Sequence, residues 1–233
     1  MKAKFAGHAA LFLYDSDYVC AIDPWLEGNP MCPAELKNPE KLDLIVLTHG
    51  HGDHAGDVVR VHQQTGATVA AMFELAELLV PEGVSENSVI PMSKGGSVQP
   101  GKYRVSLTHA LHSSSYDSPK RGTLYAGEPC GVVISDGETT VFHAGDTCLF
   151  SDLALIGKRY RPSVAFLPMG DHFTMGAEDA AEAARLLGVR MAYPIHYKTF
   201  PVLAQSADEF VRACNDLGIA AQEMTIGEEF TVG

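Results

Sequence analysis

Short apolar segments separated by turn residues make up the first half of the chain, and this pattern predicts mostly β-strands. Asp15-Ser16-Asp17 lies between two such segments and predicts a hairpin turn. A helical period of apolar residues begins at Val58 and ends before Gly66, and a second helix ends before Pro81. The predicted elements of this half are strands over residues 9–14, 19–22, 42–47 and 68–71, and helices over residues 58–64 and 72–79.

The second half repeats the order of strands followed by helices. Asp136-Gly137 predicts a hairpin turn between two of the strands. One helix has acidic residues in its first turn and ends before Gly188, as the helix dipole and a glycine C-cap favour. Residues 206–209 have the spacing of a capping box and predict a last helix that ends at Gly218. The other predicted elements are strands over residues 103–109, 132–135, 140–143, 164–167 and 191–195, and a helix over residues 177–187.

This repeated order favours an α/β fold, in which two mixed β-sheets pack face to face and helices cover both outer faces. The architecture would be an αβ/βα four-layer sandwich. With 233 residues, the chain has room for one large domain or two small ones. No linker rich in proline or glycine, low-complexity segment or charge run divides it. We therefore predict a single domain over residues 1–233.

The composition is that of a globular protein, with 46% hydrophobic and 20% charged residues, which excludes disordered, collagen-like and small disulfide-rich proteins. The net charge of −12 repels phosphate groups, so nucleic acids and anionic membrane surfaces are not expected partners. No run of 18 apolar residues predicts a transmembrane helix. The apolar run after the basic N-terminus is too short for a signal peptide, which predicts a cytoplasmic protein.

The five cysteines form no C-x-x-C pair, and their number is odd. They are therefore predicted to be reduced thiols packed in the core. Cys148 has a second interpretation as a pocket residue, because it follows a candidate site residue by two positions. No pattern encodes the oligomeric state, and a homo-oligomer is compatible with the sequence.

The strongest chemical signal is His-Gly-His-Gly-Asp-His at residues 49–54, directly after the strand predicted over residues 42–47. Four side chains that can bind metal ions fall within six residues. His49 and His51 can approach one ion from an extended segment, while Asp53 and His54 turn toward a second. A surface turn that is rich in histidine by coincidence is disfavoured, because protonated histidines held together would repel one another.

Three further residues take the same kind of position, where an apolar strand ends and a loop begins. His112 follows the strand at 103–109, Asp146 follows a later strand, and His196 follows the last predicted strand. Because a rigid sheet can hold the ends of its strands in place, these residues are expected to complete the set of metal-binding side chains.

The motif H-x-H-x-D-H, followed in order by His, Asp and His, resembles the metallo-β-lactamase superfamily of metal-dependent hydrolases. More narrowly, Gly7-His8, Asp23-Pro24-Trp25, Ile195-His196-Tyr197 and the His-Ala-Gly-Asp-Thr of residues 143–147 resemble the UPF0173 group, a branch akin to the ascorbate-6-phosphate lactonase type. The resemblance extends over nearly the whole chain and implies the metallo-β-lactamase fold, in agreement with the sandwich predicted from the pattern.

The resemblance implies a dinuclear centre with two divalent metal ions, for which zinc is the first expectation and manganese or iron are alternatives. A hydroxide shared by the two ions would act as the nucleophile, because a bound Zn²⁺ lowers the pKa of water to about 7. The implied ligands are His49, His51 and His112 for the first ion, Asp53, His54 and His196 for the second, and Asp146 for both.

Two residues are candidates for catalysis, namely Asp53 and His8. His8 is expected at the rim of the site, where it would stabilise charge on the substrate. Asp43 precedes His49 by six residues in the same predicted strand. A buried carboxylate needs a partner, so Asp43 is expected to orient one of the ligand histidines.

Asp171, His172 and Lys198 are further candidates, for contact with the substrate or for support of the ligands. His172 and Lys198 stand where the family is expected to carry asparagine, so both are departures from its pattern. Lys198 would bind an anionic group of the substrate.

The sequence therefore predicts a metal-dependent hydrolase that acts on a small molecule, with a lactone, ester or amide as the first choice. One alternative is a phosphodiesterase or nuclease that uses the same metal site, although the acidic composition disfavours a nucleic acid substrate. The other alternative is a non-catalytic binding module that depends on metal. All seven ligand positions are filled, which favours an enzyme over such a module.

Overall fold

Sixteen β-strands and six α-helices form the residues that the structure describes, a computed structural model of residues 1–232. The strands are β1 Lys2–Phe5, β2 Leu11–Asp15, β3 Tyr18–Ile22, β4 Leu44–Val46, β5 Thr68–Met72, β6 Val89–Met92, β7 Ser97–Val98, β8 Arg104–His109, β9 Ser115–Ser118, β10 Gly122–Tyr125, β11 Cys130–Ser135, β12 Thr140–His143, β13 Val164–Pro168, β14 Met191–Ile195, β15 Ala220–Ala221 and β16 Glu229–Thr231. The helices are α1 Gly52–Ala55, α2 Val58–Thr65, α3 Phe73–Leu79, α4 Leu153–Tyr160, α5 Ala177–Leu187 and α6 Asp208–Asp216, and short 3₁₀ segments lie at Ala34–Leu36, Val80–Glu82 and Glu86–Ser88.

The strands form two seven-stranded mixed sheets and one small hairpin. The first sheet has the order β16-β1-β2-β3-β4-β5-β6, and its strands β3 to β6 are parallel. The second has the order β15-β14-β13-β12-β11-β8-β7, and its strands β12 to β15 are parallel. Strands β9 and β10 pair only with each other. This arrangement confirms the predicted α/β fold with two mixed sheets.

The inner faces of the two sheets share one apolar core. Ile22 and Val46 of the first sheet and Val132 and Phe166 of the second belong to the same cluster of buried side chains. Each fully buried aliphatic or aromatic side chain of this kind contributes about 1.5 to 3 kcal/mol to the stability of the fold. The rigid interior that results can hold loop residues at the sheet ends in fixed positions.

Helices cover the outer face of each sheet, as the four-layer prediction requires. On the first sheet, Ile45 packs in a cluster with Val61 of α2 and Leu75 of α3. On the second sheet, Ala165 shares a cluster with residues of α4, α5 and α6, including Phe210. Within residues 1–232, no helix has both the length and the apolar character needed to cross a membrane.

One edge of the sandwich collects the loops that follow the parallel strands. The strands β1, β3, β4 and β5 of the first sheet end at this edge, and so do β8, β12, β13 and β14 of the second. Backbone hydrogen bonds join the two sheets there, from Cys130 N to Thr48 O and from His196 N to His8 O. We call this edge the catalytic edge, because all seven predicted ligands lie on its loops or on the short helix α1 that follows β4.

Most predicted elements agree with the structure to within two or three residues. The helix predicted over residues 177–187 and the strands predicted over residues 140–143 and 191–195 match at both ends. Gly66 and Gly188 follow their helices with left-handed φ angles of 72° and 69°, as the C-cap signals predict. The hairpins at Asp15-Ser16-Asp17 and Asp136-Gly137 are also present.

Two local predictions are corrected. The capping box predicted over residues 206–209 is wrong, because α6 begins only at Asp208. The Ser206 hydroxyl instead accepts a hydrogen bond from Asp208 N at 3.0 Å. Cys148 is exposed, unlike the other four cysteines, so the prediction of a core thiol is wrong at this position. It lies on the loop after Asp146, outside the packed layers.

Tyr103 is fully buried, yet its hydroxyl has no hydrogen-bond partner among residues 1–232. The neighbouring Tyr18, whose ring centroid is 5.4 Å away, donates its hydroxyl hydrogen to Pro100 O. We expect Tyr103→Phe to raise the free energy of unfolding by about 1 kcal/mol, because it removes an unsatisfied buried polar group. Tyr18→Phe should lower it by about 1 kcal/mol. Urea unfolding of both variants tests this, and equal losses of stability would contradict it.

Candidate metal centre

The histidine-rich segment begins where β4 ends and leads into the short helix α1. His49 and His54 are buried, whereas His51 and Asp53 are partly exposed. His51 has an extended backbone and is the N-cap of α1, so the chain changes direction between the first two histidines and the last two residues of the motif. As a result, His51 and Asp53 belong to different groups of side chains, whereas the rings of His49 and His54 remain neighbours with centroids 4.2 Å apart.

The first group of metal-binding side chains consists of His49, His51 and His112. A nitrogen from each of these three rings lies within 4.8 Å of a nitrogen from the other two. His49 Nε2 is 3.0 Å from His51 Nδ1. His112 reaches the group from the loop after β8, which is the position predicted from its strand.

The second group consists of Asp53, His54 and His196, and His8 joins it. His196 Nε2 lies 3.8 Å from Asp53 Oδ2, and the rings of His54 and His196 are stacked with centroids 5.9 Å apart. The backbone of His196 has a φ angle of +56°, which turns the chain sharply at the end of β14. The ring thereby faces the residues that follow β4.

Asp146 lies between the two groups and contacts both. Its Oδ2 is 3.6 Å from His112 Nε2 of the first group and 3.1 Å from His196 Nε2 of the second. Its Oδ1 is 3.3 Å from His54 Nε2. Gly145 makes this approach possible, since its φ is +60° and an added Cβ would lie 2.6 Å from the Thr48 side chain.

Charges in this cluster depend strongly on the carboxylates. Burial lowers the pKa of His49 well below its usual value. For His54 burial acts in the same direction, but the carboxylates of Asp146 and Asp23 outweigh it and raise the pKa well above the usual value. His196 behaves likewise, because Asp146 and Asp53 outweigh its burial and raise its pKa to about 9. Positive charge is therefore favoured between the carboxylates.

The donor set of the cluster fits divalent metal ions. His54 Nε2 and Asp146 Oδ1 are buried and have no hydrogen-bond partner within residues 1–232. Asp23 accepts the hydrogen on His54 Nδ1 at 2.8 Å, so His54 Nε2 is the nitrogen that lies next to Asp146. The raised pKa of His54 means that a positive charge is favoured between these two atoms, and either a proton or a metal ion can supply it. Imidazole nitrogens with carboxylate oxygens suit Zn²⁺, Mn²⁺ and Fe²⁺.

Asp23 is a supporting residue that the sequence reasoning did not identify. It is fully buried, and its carboxylate accepts hydrogen bonds from His54 Nδ1, from Thr48 N at 2.8 Å and from the Thr48 hydroxyl at 2.6 Å. With its hydrogen given to Asp23, the Thr48 hydroxyl can only accept from His49 Nδ1, 3.0 Å away. Asp23 thus sets the protonated nitrogen of two histidines. Its place directly after a strand was the available signal.

The prediction that His8 lies at the rim of the site is wrong. Its side chain is fully buried, with Nε2 3.1 Å from Asp53 Oδ2 and Nδ1 2.9 Å from the Thr199 hydroxyl. Burial lowers the pKa of His8 to about 4, so the ring is neutral near pH 7. Because a carboxylate can only accept, Nε2 carries the hydrogen and donates it to Asp53. His8 therefore supports Asp53 from within the protein.

The expected role of Asp43 is also corrected. This residue precedes β4, at the end of the strand opposite the catalytic edge, and it is only half-buried. Its carboxylate accepts a hydrogen bond from Val19 N at 2.8 Å and lies 3.8 Å from Lys41 Nζ. Asp23 has the position that the sequence analysis assigned to Asp43.

The remaining candidates lie on the loops beside the cluster but not in it. Asp171 and His172 are exposed, and the His172 ring contacts Phe173 with centroids 4.5 Å apart. Lys198 Nζ pairs with Glu223 at 2.5 Å. Within residues 1–232, no hydrogen bond or ion pair joins Asp171, His172 or Lys198 to the cluster, so their roles as substrate contacts stay predictions.

Comparisons with known proteins show the family of the chain. A model of the β-lactamase superfamily domain matches residues 20–197, a range that contains all seven predicted ligands but not His8. UPF0173 metal-dependent hydrolases from Desulforamulus reducens and Bacillus cereus are 44% and 41% identical to the chain, over 91% and 100% of both sequences. Among solved structures, the novel metallo hydrolase Igni18 of Ignicoccus hospitalis is 35% identical, with a TM-score of 0.85 over 100% of this chain and 99% of its own.

Proposed function

Because the chain belongs to the UPF0173 metal-dependent hydrolases of the β-lactamase superfamily, we propose that it holds two divalent metal ions and hydrolyses a small lactone, ester or amide. His49, His51 and His112 would hold the first ion, and Asp53, His54 and His196 the second. Asp146 would bind both ions.

The position of Asp146 carries this proposal. Its two oxygens lie within 3.6 Å of nitrogens from both groups, so Asp146 would be a ligand that the two groups share. A mononuclear site would leave one group of histidines without a cation, although each group brings its ligand atoms within 4.8 Å of one another. The arrangement of the side chains therefore favours two ions over one.

The bound ions would supply a water of lowered pKa and polarise the scissile carbonyl. The protein contributes by positioning these groups. The Asp53 side chain is 26% exposed, against 3% for Asp146, so Asp53 is the carboxylate that entering water can reach. Its Oδ2 accepts a hydrogen bond from His8 Nε2. Its Oδ1 would accept a hydrogen bond from that water and orient it.

A small neutral substrate fits the charge of this protein better than a polyanion. The net charge of −12 disfavours nucleic acids. Lys198, two residues after His196, pairs with Glu223, which partly neutralises its charge. These observations support carboxylic substrates over phosphodiesters.

A paired substrate panel tests this proposal. We expect protein loaded with Zn²⁺ or Mn²⁺ to turn over lactones and aryl esters, and His51→Ala to serve as an inactive control. Aryl and cyclic phosphodiesters form the second half of the panel. Turnover confined to the phosphodiesters would contradict the proposed substrate class, and equal turnover by His51→Ala would contradict the proposed centre.

A further inference from the structure

Two aromatic side chains pack against His8, which belongs to the second ligand group. The Trp25 ring is 5.3 Å from the His8 ring between centroids, and the Phe200 ring is 5.5 Å from it. Trp25 and Phe200 also contact each other, with centroids 6.0 Å apart and planes inclined by 32°. Both are only partly buried, whereas His8 beneath them is buried, so they present an apolar surface to solvent above the histidine that is hydrogen-bonded to Asp53. We call Trp25 and Phe200 the aromatic wall.

The position of Trp25 is built into the fold. A Cβ added to Gly28 would lie 2.6 Å from its Nε1, so this glycine makes room for the indole. The loop is held in place by Asp57, whose Oδ2 accepts hydrogen bonds from Leu26 N at 2.6 Å and from Glu27 N at 2.7 Å. A large aromatic ring held this firmly while partly exposed is suited to binding a ligand.

Exposed apolar side chains are concentrated at the same edge of the molecule. Of seven large hydrophobic side chains exposed within residues 1–232, five lie on segments at the catalytic edge. The other two, Leu155 of α4 and Leu217 after α6, lie on the helical layer of the second sheet. The five at the catalytic edge are Phe73, Leu111, Tyr125, Phe173 and Val202.

We propose that the substrate carries an apolar group next to its scissile bond, and that this group packs on the aromatic wall. The inference rests on the proposed hydrolysis of lactones, esters or amides. It narrows the expected substrates to those that carry an acyl chain or an aryl group. Asp53, which would orient water, is hydrogen-bonded to His8, and the wall packs against His8, so a single side chain separates the wall from the group that would orient the water. Exposed apolar side chains along the edge extend the surface available to a longer chain.

An acyl-chain series measures the proposed contact through turnover. For aryl esters from acetate to decanoate, kcat/KM should rise about twofold to fourfold with each methylene until the wall is covered. Trp25→Ala and Phe200→Ala should flatten this rise, mainly through KM, while Trp25→Phe retains most of it. Leu155→Ala, which removes a more exposed apolar side chain from helix α4, should keep the slope. A slope that is flat in the unaltered protein would overturn the proposal.

A binding experiment gives an answer that does not depend on turnover. Trp25 is the only tryptophan of the chain, so its fluorescence reports directly on the wall. Straight-chain carboxylates from acetate to decanoate, added to metal-loaded protein, should change this emission with an affinity that increases with chain length. Phe200→Ala should weaken binding of decanoate about tenfold and leave acetate binding unchanged, whereas Leu155→Ala should change neither.

The two readouts separate the two proposals. Chain-length-dependent binding together with absent ester turnover would contradict the proposed reaction and support the wall. Ester turnover without chain-length dependence in either readout would overturn the wall and leave the proposed reaction intact. A third outcome is a dimer that dissociates when Tyr125 and Phe173 are both replaced by serine, together with a flat chain-length series. This outcome would assign the exposed edge to contact with a second copy of the chain and would also overturn the proposal.

Discussion

Asp146→Ala is expected to remove bound metal and activity together. Its carboxylate contacts histidines of both groups, so its loss leaves each proposed ion one ligand short. The loss of activity should be larger than about 100-fold, which is the upper end of the loss expected when a residue that hydrogen-bonds to a metal ligand is removed. Metal content measured by mass spectrometry after gel filtration should fall from two ions per chain to less than one.

Asp171→Ala is the matched control for this variant. Asp171 is also acidic and lies at the same edge, but it is exposed and makes no ion pair with the cluster within residues 1–232. It should therefore retain both ions. Two tightly bound ions and full turnover in Asp146→Ala would contradict the dinuclear assignment. A far-ultraviolet spectrum and a urea unfolding curve distinguish loss of metal from loss of the fold.

Asp23→Ala is expected to weaken metal binding by about 10- to 100-fold, although Asp23 is not one of the proposed ligands. The carboxylate holds the hydrogen on His54 Nδ1 directly and the one on His49 Nδ1 through the Thr48 hydroxyl. Without Asp23, both rings can rotate or change tautomer, and their Nε2 lone pairs no longer face the proposed ions. Competition with a chromophoric chelator measures the affinity.

Two further variants sharpen this second prediction. Asp23→Asn keeps an oxygen that can accept from His54 Nδ1, so it should restore part of the affinity that Asp23→Ala loses. Asp43→Ala removes a carboxylate from the opposite end of β4 and should leave the affinity unchanged. The prediction fails if Asp23→Ala binds metal as tightly as the unaltered protein, or if Asp43→Ala is the weaker binder.

The elements that the sequence predicted well are those in which local signals agree with the tertiary structure. Helix α5 combines an amphipathic period with acidic residues in its first turn and a glycine C-cap. Helix α4 was missed because it contains Gly157, which has a low helix propensity. In the fold, this glycine is required, since an added Cβ would lie 2.2 Å from Leu187 O of α5. Close packing of two helices thus opposes the local signal.

The hairpin of β9 and β10 was missed for a different reason. Its residues are largely polar or exposed, so no apolar alternation marks them as strands. Only Tyr116 of these strands belongs to an apolar core cluster, so pairing between the two strands contributes more to their conformation than burial does. Patterns of burial cannot reveal strands of this kind.

The candidate site was predictable where chemistry is written in a contiguous motif or at the end of an apolar strand. His49, His51 and His54 belong to the first case, and Asp146 and His196 belong to the second. Asp23 was missed because its role depends on the pairing of β3 with β4, which places it beside Thr48. The same pairing explains the error at Asp43. The sequence alone did not show that Asp43 lies at the start of β4, at the end of the strand away from the catalytic edge.

The backbone at this edge stores conformational energy. Seven residues other than glycine have positive φ angles within residues 1–232, and five of them lie on catalytic-edge loops. These five are His8, Asp23, Asp171, His196 and Lys198. In the left-handed backbone conformation, a residue with a side chain is about 1 to 2 kcal/mol less stable than glycine. Selection for stability alone would therefore favour glycine at these positions. The loops nevertheless keep histidine, aspartate and lysine at these turns. The centre therefore lowers the stability of the fold, and the packing of the two sheets compensates for this loss.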